Sequence, residues 1–212
     1  MFLNDIGQPL KVESGKAYSS YEEHSGALLC SSAASEDLII PQNWCNLAVG
    51  SQLDISRLKS QKSVSESCTF KTLLPNNPTR IVYDGNEITI TLIPAGKKEN
   101  GLECHLFYIE NGHTRYLIVE CLSGYLDFLP KAPDCFRTGL FQGIDVIYVD
   151  EELISQNHMN EDLYSLVDLI RPKFIYGLRQ QELPKWLLDL RQIYDRNKTY
   201  SVSSVQNDAF KI

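Results

Sequence analysis

Between Ile81 and Leu126 the hydrophobic and polar positions fall into strand-length runs separated by turn signals. Ile88, Ile90 and Leu92 alternate with Glu87, Thr89 and Thr91, the period of two expected of a half-buried strand. Asp84-Gly85-Asn86 opens this run and Pro94-Ala95-Gly96 closes it. After a polar loop come LFYIE and YLIVE, joined across Asn111-Gly112. That dipeptide between apolar runs predicts a tight β-hairpin, because both central residues of its turn need a positive φ.

The flanking sequence adds further elements. ALLCSS and DLIIP are short apolar runs suited to buried strands, with a turn-forming stretch from Ser31 to Asp37. Asn46 to Ser63 predicts a short helix carrying Leu47, Val49, Leu53, Ile55 and Leu58. CTFKTLLP reads as a strand broken by Asn76-Asn77-Pro78. Lys131 to Phe141 reads as a loop or irregular helix. In GIDVIYVDEE the unbroken apolar run predicts a strand covered on both faces. Leu163, Leu166, Val167 and Ile170 have helical spacing, with Asn160 as N-cap and Pro172 as terminator. KFIYGL predicts another strand, LPKWLLDLRQIYDRN another helix, and TYSVSSV and DAFKI closing strands. Residues 1–26 are polar and read as an edge hairpin or a loosely packed arm. Strands first, then strand and helix in alternation, predict an α/β chain: an αββα sandwich of two packed mixed sheets with outer helices. No linker divides it, so residues 1–212 read as a single domain.

Composition narrows the classes of function. The net charge of −7 argues against a partner of bare nucleic acid, since Lys97-Lys98 is the only adjacent basic pair. No apolar stretch approaches the roughly 20 residues that span a bilayer. The first residues lack the basic and apolar regions of a signal peptide. The expectation is a cytoplasmic or otherwise intracellular protein with no membrane partner and reduced thiols. Its six cysteines contain no CxxC pair and read mostly as small buried hydrophobes.

The order of runs resembles the metallo-β-lactamase fold family from about Leu38 onward. DGNEITITLIPAG is similar to the strands leading into that family's Pro-x-Gly-His-Thr loop. ECHLFYIENGHTRYLIVECLSG resembles the hairpin ending in Gly-Asp, whose Asp bridges two metals, and PKFIYGL the strand delivering a final His. LIIPQNWCNLAVG stands where the family runs into His-x-His-x-Asp-His. On this resemblance the ligand positions are taken by Pro41, Asn43, Cys45 and Asn46. Lys97 stands at the second motif, Cys121 or Leu122 at the bridging position, and Gly177 or Leu178 at the last. Zinc needs three or four converging imidazole, thiolate or carboxylate donors, and of these residues only the cysteines can donate. The resemblance therefore implies a degenerate member with no cofactor and no catalytic residues. Trp44 in the degenerate loop reads either as a plug for the vacated pocket or as an interface anchor.

Other candidate chemistry is sparse. Cys104 and His105 are neighbours, but adjacent strand residues point to opposite faces and make no nucleophile–base pair. His24, His113 and His158 lie in polar, turn-like stretches, and Asp150-Glu151-Glu152 reads as a solvated corner rather than a cation site. No phosphate-binding glycine loop, dinucleotide fingerprint or nucleophile elbow occurs. The expected function is a metal-free scaffold or interaction subunit, leaning away from an enzyme, whose partner is a protein, either an active homologue or a second copy. The alternative is a metal-dependent hydrolase of phosphoesters or nucleotides held together by Cys45, Cys121 and His105.

Overall fold

The computed structural model describes residues 2–3, 9–10, 27–31, 44–61, 66–83, 86–112, 114–124, 143–150, 153–154, 158–177, 183–187, 189 and 201–202. Their strands form two sheets. The first has five strands: β1 (Phe2–Leu3), β2 (Pro9–Leu10), β3 (Ala27–Cys30), β4 (Leu47–Gly50) and β5 (Thr69–Thr72), in the order β2-β1-β3-β4-β5. The second has seven: β6 (Thr79–Tyr83), β7 (Asn86–Lys97), β8 (Glu103–Asn111), β9 (Thr114–Val119), β10 (Val146–Val149), β11 (Phe174–Gly177) and β12 (Ser201–Val202). These run in the order β12-β11-β10-β9-β8-β7-β6. Both sheets are mixed: β3, β4 and β5 are parallel to one another, as are β9 to β12, while β6 to β9 form an antiparallel meander.

Alternation along the central strands sorts side chains between two cores. Ile90, Leu92, Phe107, Ile109 and Ile118 meet Leu29, Leu47, Val49 and Leu73 of the first sheet and fill the layer between the sheets. Leu106, Tyr108, Leu117, Val119, Ile147 and Val149 point the other way, against a second helix, α2 (Glu161–Ile170), through its Leu163, Leu166, Val167 and Ile170. The first helix, α1 (Gln52–Lys59), lies on the outer face of the first sheet. Its Lys59 sits 5.3 Å over the ring of Phe70, which pairs with Ala48 on the face turned away from Leu47 and Val49. The layers are therefore αββα, as the order of runs predicts.

Several local expectations hold. The predicted hairpin forms with its turn one residue later than expected: Asn111 is the last residue of β8, paired with Thr114, and Gly112, at φ 56°, follows it as the first turn residue. Asn160 caps α2 by accepting a bond from the Leu163 amide. β10 is covered on both faces, by Val146 toward the first sheet and Ile147 and Val149 toward α2. Residues 185–187 are helical, with Trp186 against the α2-side core.

One expectation needs correction. Asn46 to Ser63 is not one helix: Leu47–Gly50 is a strand and the helix begins at Gln52. Leu47 and Val49 alternate with Ala48 and Gly50, and Ser51 with Asp54 forms a capping box that starts the helix only after them. The expected DLIIP strand, the Lys131–Phe141 segment and the closing DAFKI lie outside the described residues.

The turn at Pro94-Ala95-Gly96 is a bulge within β7, where the β7–β8 register shifts between Pro94 and Lys97. Gly96 has φ +105° and makes a bridge with Ser123, just beyond β9. A Cβ at Gly96 would lie 1.3 Å from the Ser123 carbonyl oxygen, whereas one at Gly112 (φ +56°) would meet nothing within 4 Å. Gly96→Ala is expected to cost more than about 3 kcal/mol and Gly112→Ala about 1–2 kcal/mol. Equilibrium urea denaturation of the two variants measures the contrast, and equal costs would show that the close approach is unimportant.

Candidate functional site

The chemistry-bearing side chains gather at one end of the layer between the sheets, where β3, β4, β9 and β10 finish. Gly50 ends β4 with its ideal Cβ position 2.9 Å from the Cys30 carbonyl oxygen, so the absence of a side chain lets β3 and the start of α1 close up. Ser51 caps α1: its Oγ donates to Asp54 Oδ2 at 2.6 Å, its amide reaches the same oxygen at 3.3 Å, and the Asp54 amide donates back to Oγ at 3.2 Å. Asp54 is thereby buried, at 3% exposure, as a structural acceptor.

From the second sheet come His105, Glu120 and Asp150. His105 has the same parity as Phe107 and Ile109 and is turned toward the first sheet, as the opposite-face argument for Cys104-His105 requires. Burial pushes its imidazole below the usual value, and the carboxylates of Asp54 and Glu103 offset this only in part. Glu120 follows Tyr116 and Ile118 on that face. Burial, reinforced by the nearby Asp150 and Asp54 carboxylates, pushes its acid group up. Asp150 is buried, and its amide continues the parallel ladder to the Val119 carbonyl at 2.8 Å. The Cys30 thiol is pushed up to about 12, chiefly by burial, so it is protonated near neutral pH and is no nucleophile.

The residues singled out on the resemblance are dispersed. Trp44, Cys45 and Asn46 precede β4, at the opposite end of that strand from the cluster. Trp44 is buried, at 2% exposure, which suits packing within the chain rather than an exposed anchor. Cys45 is exposed, with its Sγ 3.9 Å from Asn46 Oδ1. The strand-to-helix corner beside the cluster is instead Gly50 to Asp54. Lys97 pairs in register with Glu103, and its Nζ lies 3.2 Å from Glu103 Oε1 at the exposed rim. Cys121 points away from the cluster into the α2-side core, where it is bonded to Cys104. That bond corrects the expectation of reduced thiols at these two positions. Glu120, one residue earlier, faces the first sheet, and a shift of one along a strand exchanges the two faces. Leu122 is buried on the α2 side. Pro41, Asn43 and Leu178 lie outside the described residues, as do His24, His113, Glu151 and Glu152, while His158 is exposed. The Cys45, Cys121 and His105 ligand set therefore does not converge.

The grouping of Asp54, His105, Glu120 and Asp150 was missed by reading motif positions along the chain. Two signals pointed to it. The Ser51-x-x-Asp54 pattern before Ile55 and Leu58 marks a helix start, and strand parity separates Glu120 from Cys121.

No family model matches the chain, and no curated protein does. Among solved structures it is similar to a mutant of the β-hydroxylase CmlA, with TM-score 0.50 and 10% identity over 85% of this chain and 43% of that one. A metallo-β-lactamase fold protein, YhfI of Bacillus subtilis, gives TM-score 0.47 and 12% identity over 75% of this chain and 62% of that one. A putative zinc-dependent hydrolase of the metallo-β-lactamase superfamily from Thermotoga maritima gives 0.35 and 13% over 76% and 82%. The chain thus spans less than two thirds of the length of the first two. At these identities the likeness concerns the fold alone, an αββα sandwich of two mixed sheets. A zinc ion takes three or four converging donors. Here the strand ends supply one imidazole beside carboxylates, and among the described residues no three His, Cys, Asp or Glu side chains come together to hold an ion.

The two shifted groups give opposite pH dependences. His105, with its folded pKa lowered, contributes stability present above about pH 6.5 and lost as pH falls toward its folded value, because the unfolded chain takes up the proton first. Glu120, with its folded pKa raised, contributes stability present below about pH 4.5 and lost as pH rises through its folded value. His105→Gln is expected to flatten the decline in stability below pH 6.5, read as the denaturation midpoint across a pH series. An unchanged slope would mean that His105 is not buried neutral.

Proposed function

We propose that this chain, with its metallo-β-lactamase-like fold, is a non-catalytic, metal-free protein that acts as an interaction or scaffold subunit for a protein partner, either an active homologue or a second copy. The observation supporting this reading is the chemistry at the strand ends. Asp54 caps α1, His105 is the one imidazole of the group among the described residues, Glu120 has its acid group pushed up, and the Cys30 thiol is held protonated. Metal-assisted hydrolysis requires donors that fix an ion and leave a position for the water it activates. This group supplies neither converging imidazoles nor an activated nucleophile. The net charge of −7 favours a protein partner over bare nucleic acid.

Metal content is the direct test. Protein purified without chelator is expected to contain well under one transition metal per chain and to show no thermal shift on added zinc or manganese. Stoichiometric zinc, manganese or iron would overturn the reading and return the chain to the hydrolases. For the interaction role, size-exclusion chromatography of the tagged chain from its native host should show a stoichiometric complex or a self-dimer. A monomer with no retained partner would count against it.

Trp44→Ala separates packing from recognition. The buried indole predicts a loss of about 3–5 kcal/mol in urea denaturation, with partner retention unchanged at temperatures where the variant is folded. Lost partner binding at unchanged stability would instead make Trp44 an interface anchor.

A further inference from the structure

Residues 121–124, the exit from β9, touch three elements: β8, the β7 bulge and the first turn of α2. The regular β8–β9 ladder ends at Leu106 opposite Val119. Continuing that register by two residues sets Cys104 opposite Cys121, where the sulfurs are bonded and the Cα atoms lie 5.3 Å apart, within the ordinary range for a disulfide. Beyond Cys121, the Ser123 amide donates to the Ala95 carbonyl at 3.0 Å and Ser123 bridges Gly96. The Gly124 amide then donates to Asp162 Oδ2 in the first turn of α2, also at 3.0 Å. The segment is thus held to β7 and α2 by single hydrogen bonds and to β8 by a covalent bond.

We propose that Cys104 and Cys121 are a redox latch: the disulfide holds residues 121–124 against the β7 bulge and α2, and reduction frees that segment while the β8–β9 ladder stays formed. Reduction by two small-molecule thiols breaks the protein S–S bond and forms one between the small molecules. Two electrons pass to the cysteine sulfurs, and each takes up a proton. Bonded sulfurs stand about 2 Å apart, whereas unbonded atoms of that size need about 3.5–4 Å. Both cysteines are buried in a packed core, at 0% and 3% exposure, so the extra distance has to come from movement. Cys104 lies inside β8 between His105 and Glu103, which pair with Pro94 and Lys97 of β7 on either side of the bulge. Cys121 lies past the end of its ladder, so the movement falls on residues 121–124. The same burial keeps reductant out until the segment opens, which makes native-state reduction slow.

Peptide mapping after alkylation in denaturant tests the bond. Cys104 and Cys121 should stay unlabelled until a reductant is added, while Cys45 and Cys68, which form no disulfide, label at once. Labelling of Cys104 and Cys121 without reductant would overturn the proposal. Hydrogen exchange of the wild-type chain with and without reductant tests the latch. Exchange is expected to rise roughly tenfold or more at residues 121–124 and at the β7 bulge, with 106–119 still protected. Unchanged exchange, or loss of protection throughout the ladder, would overturn it. C104S/C121S should reproduce the reduced pattern and no longer respond to reductant. A continued response would place the redox effect at other cysteines, and should this variant fail to fold, the wild-type comparison still decides.

Discussion

The arrangement depends on the burial of β8, β9 and β10 on both faces. Leu106, Phe107, Leu117, Ile118 and Ile147 are all inaccessible to solvent, and they belong by turns to the layer between the sheets and to the layer under α2. A slip of one residue would exchange every side chain between the two layers. The neighbours Glu120 and Cys121 therefore have unrelated surroundings, one beside carboxylates and an imidazole, the other in a covalent bond within an apolar core.

Much of this frame was legible in the sequence, for definite physical reasons. Period-two alternation from Glu87 to Leu92, the Asn111-Gly112 turn and the spacing of Leu163 to Ile170 are local signals, each set by backbone geometry and one buried face. The candidate site was far less legible. Its members come from α1, β8 and the exits of β9 and β10, and only tertiary packing brings them together. Reading ligand positions from motif order placed the first loop at Pro41–Asn46, before β4, on its position and the flanking hydrophobic pattern. The strand LAVG and the capping box behind it put the relevant corner at Gly50–Asp54. Register also decided the last case, since Cys121 is nearest in order to the expected position and yet points the other way.

Charge at the strand ends is arranged for packing. Ser51 and Asp54 exchange three hydrogen bonds, which satisfy orphan donors of the first helical turn and hold the buried carboxylate in place. Lys97 and Glu103 form an ion pair at the rim, where screening leaves such pairs worth at most about 1 kcal/mol. Neither arrangement leaves a strong base or an open coordination position.

At Gly50 the seat of α1 is set by a missing methyl group, since the nearest carbonyl oxygen is 2.9 Å from where a Cβ would be. Space at that end of the sandwich is consequently a property of the backbone rather than of any side chain that could be exchanged. A redesign that replaced Asp54 or His105 by stronger metal ligands would inherit the same narrow mouth. To open that end, α1 would have to be reseated as a rigid unit, which would expose its buried Ile55 and Leu58.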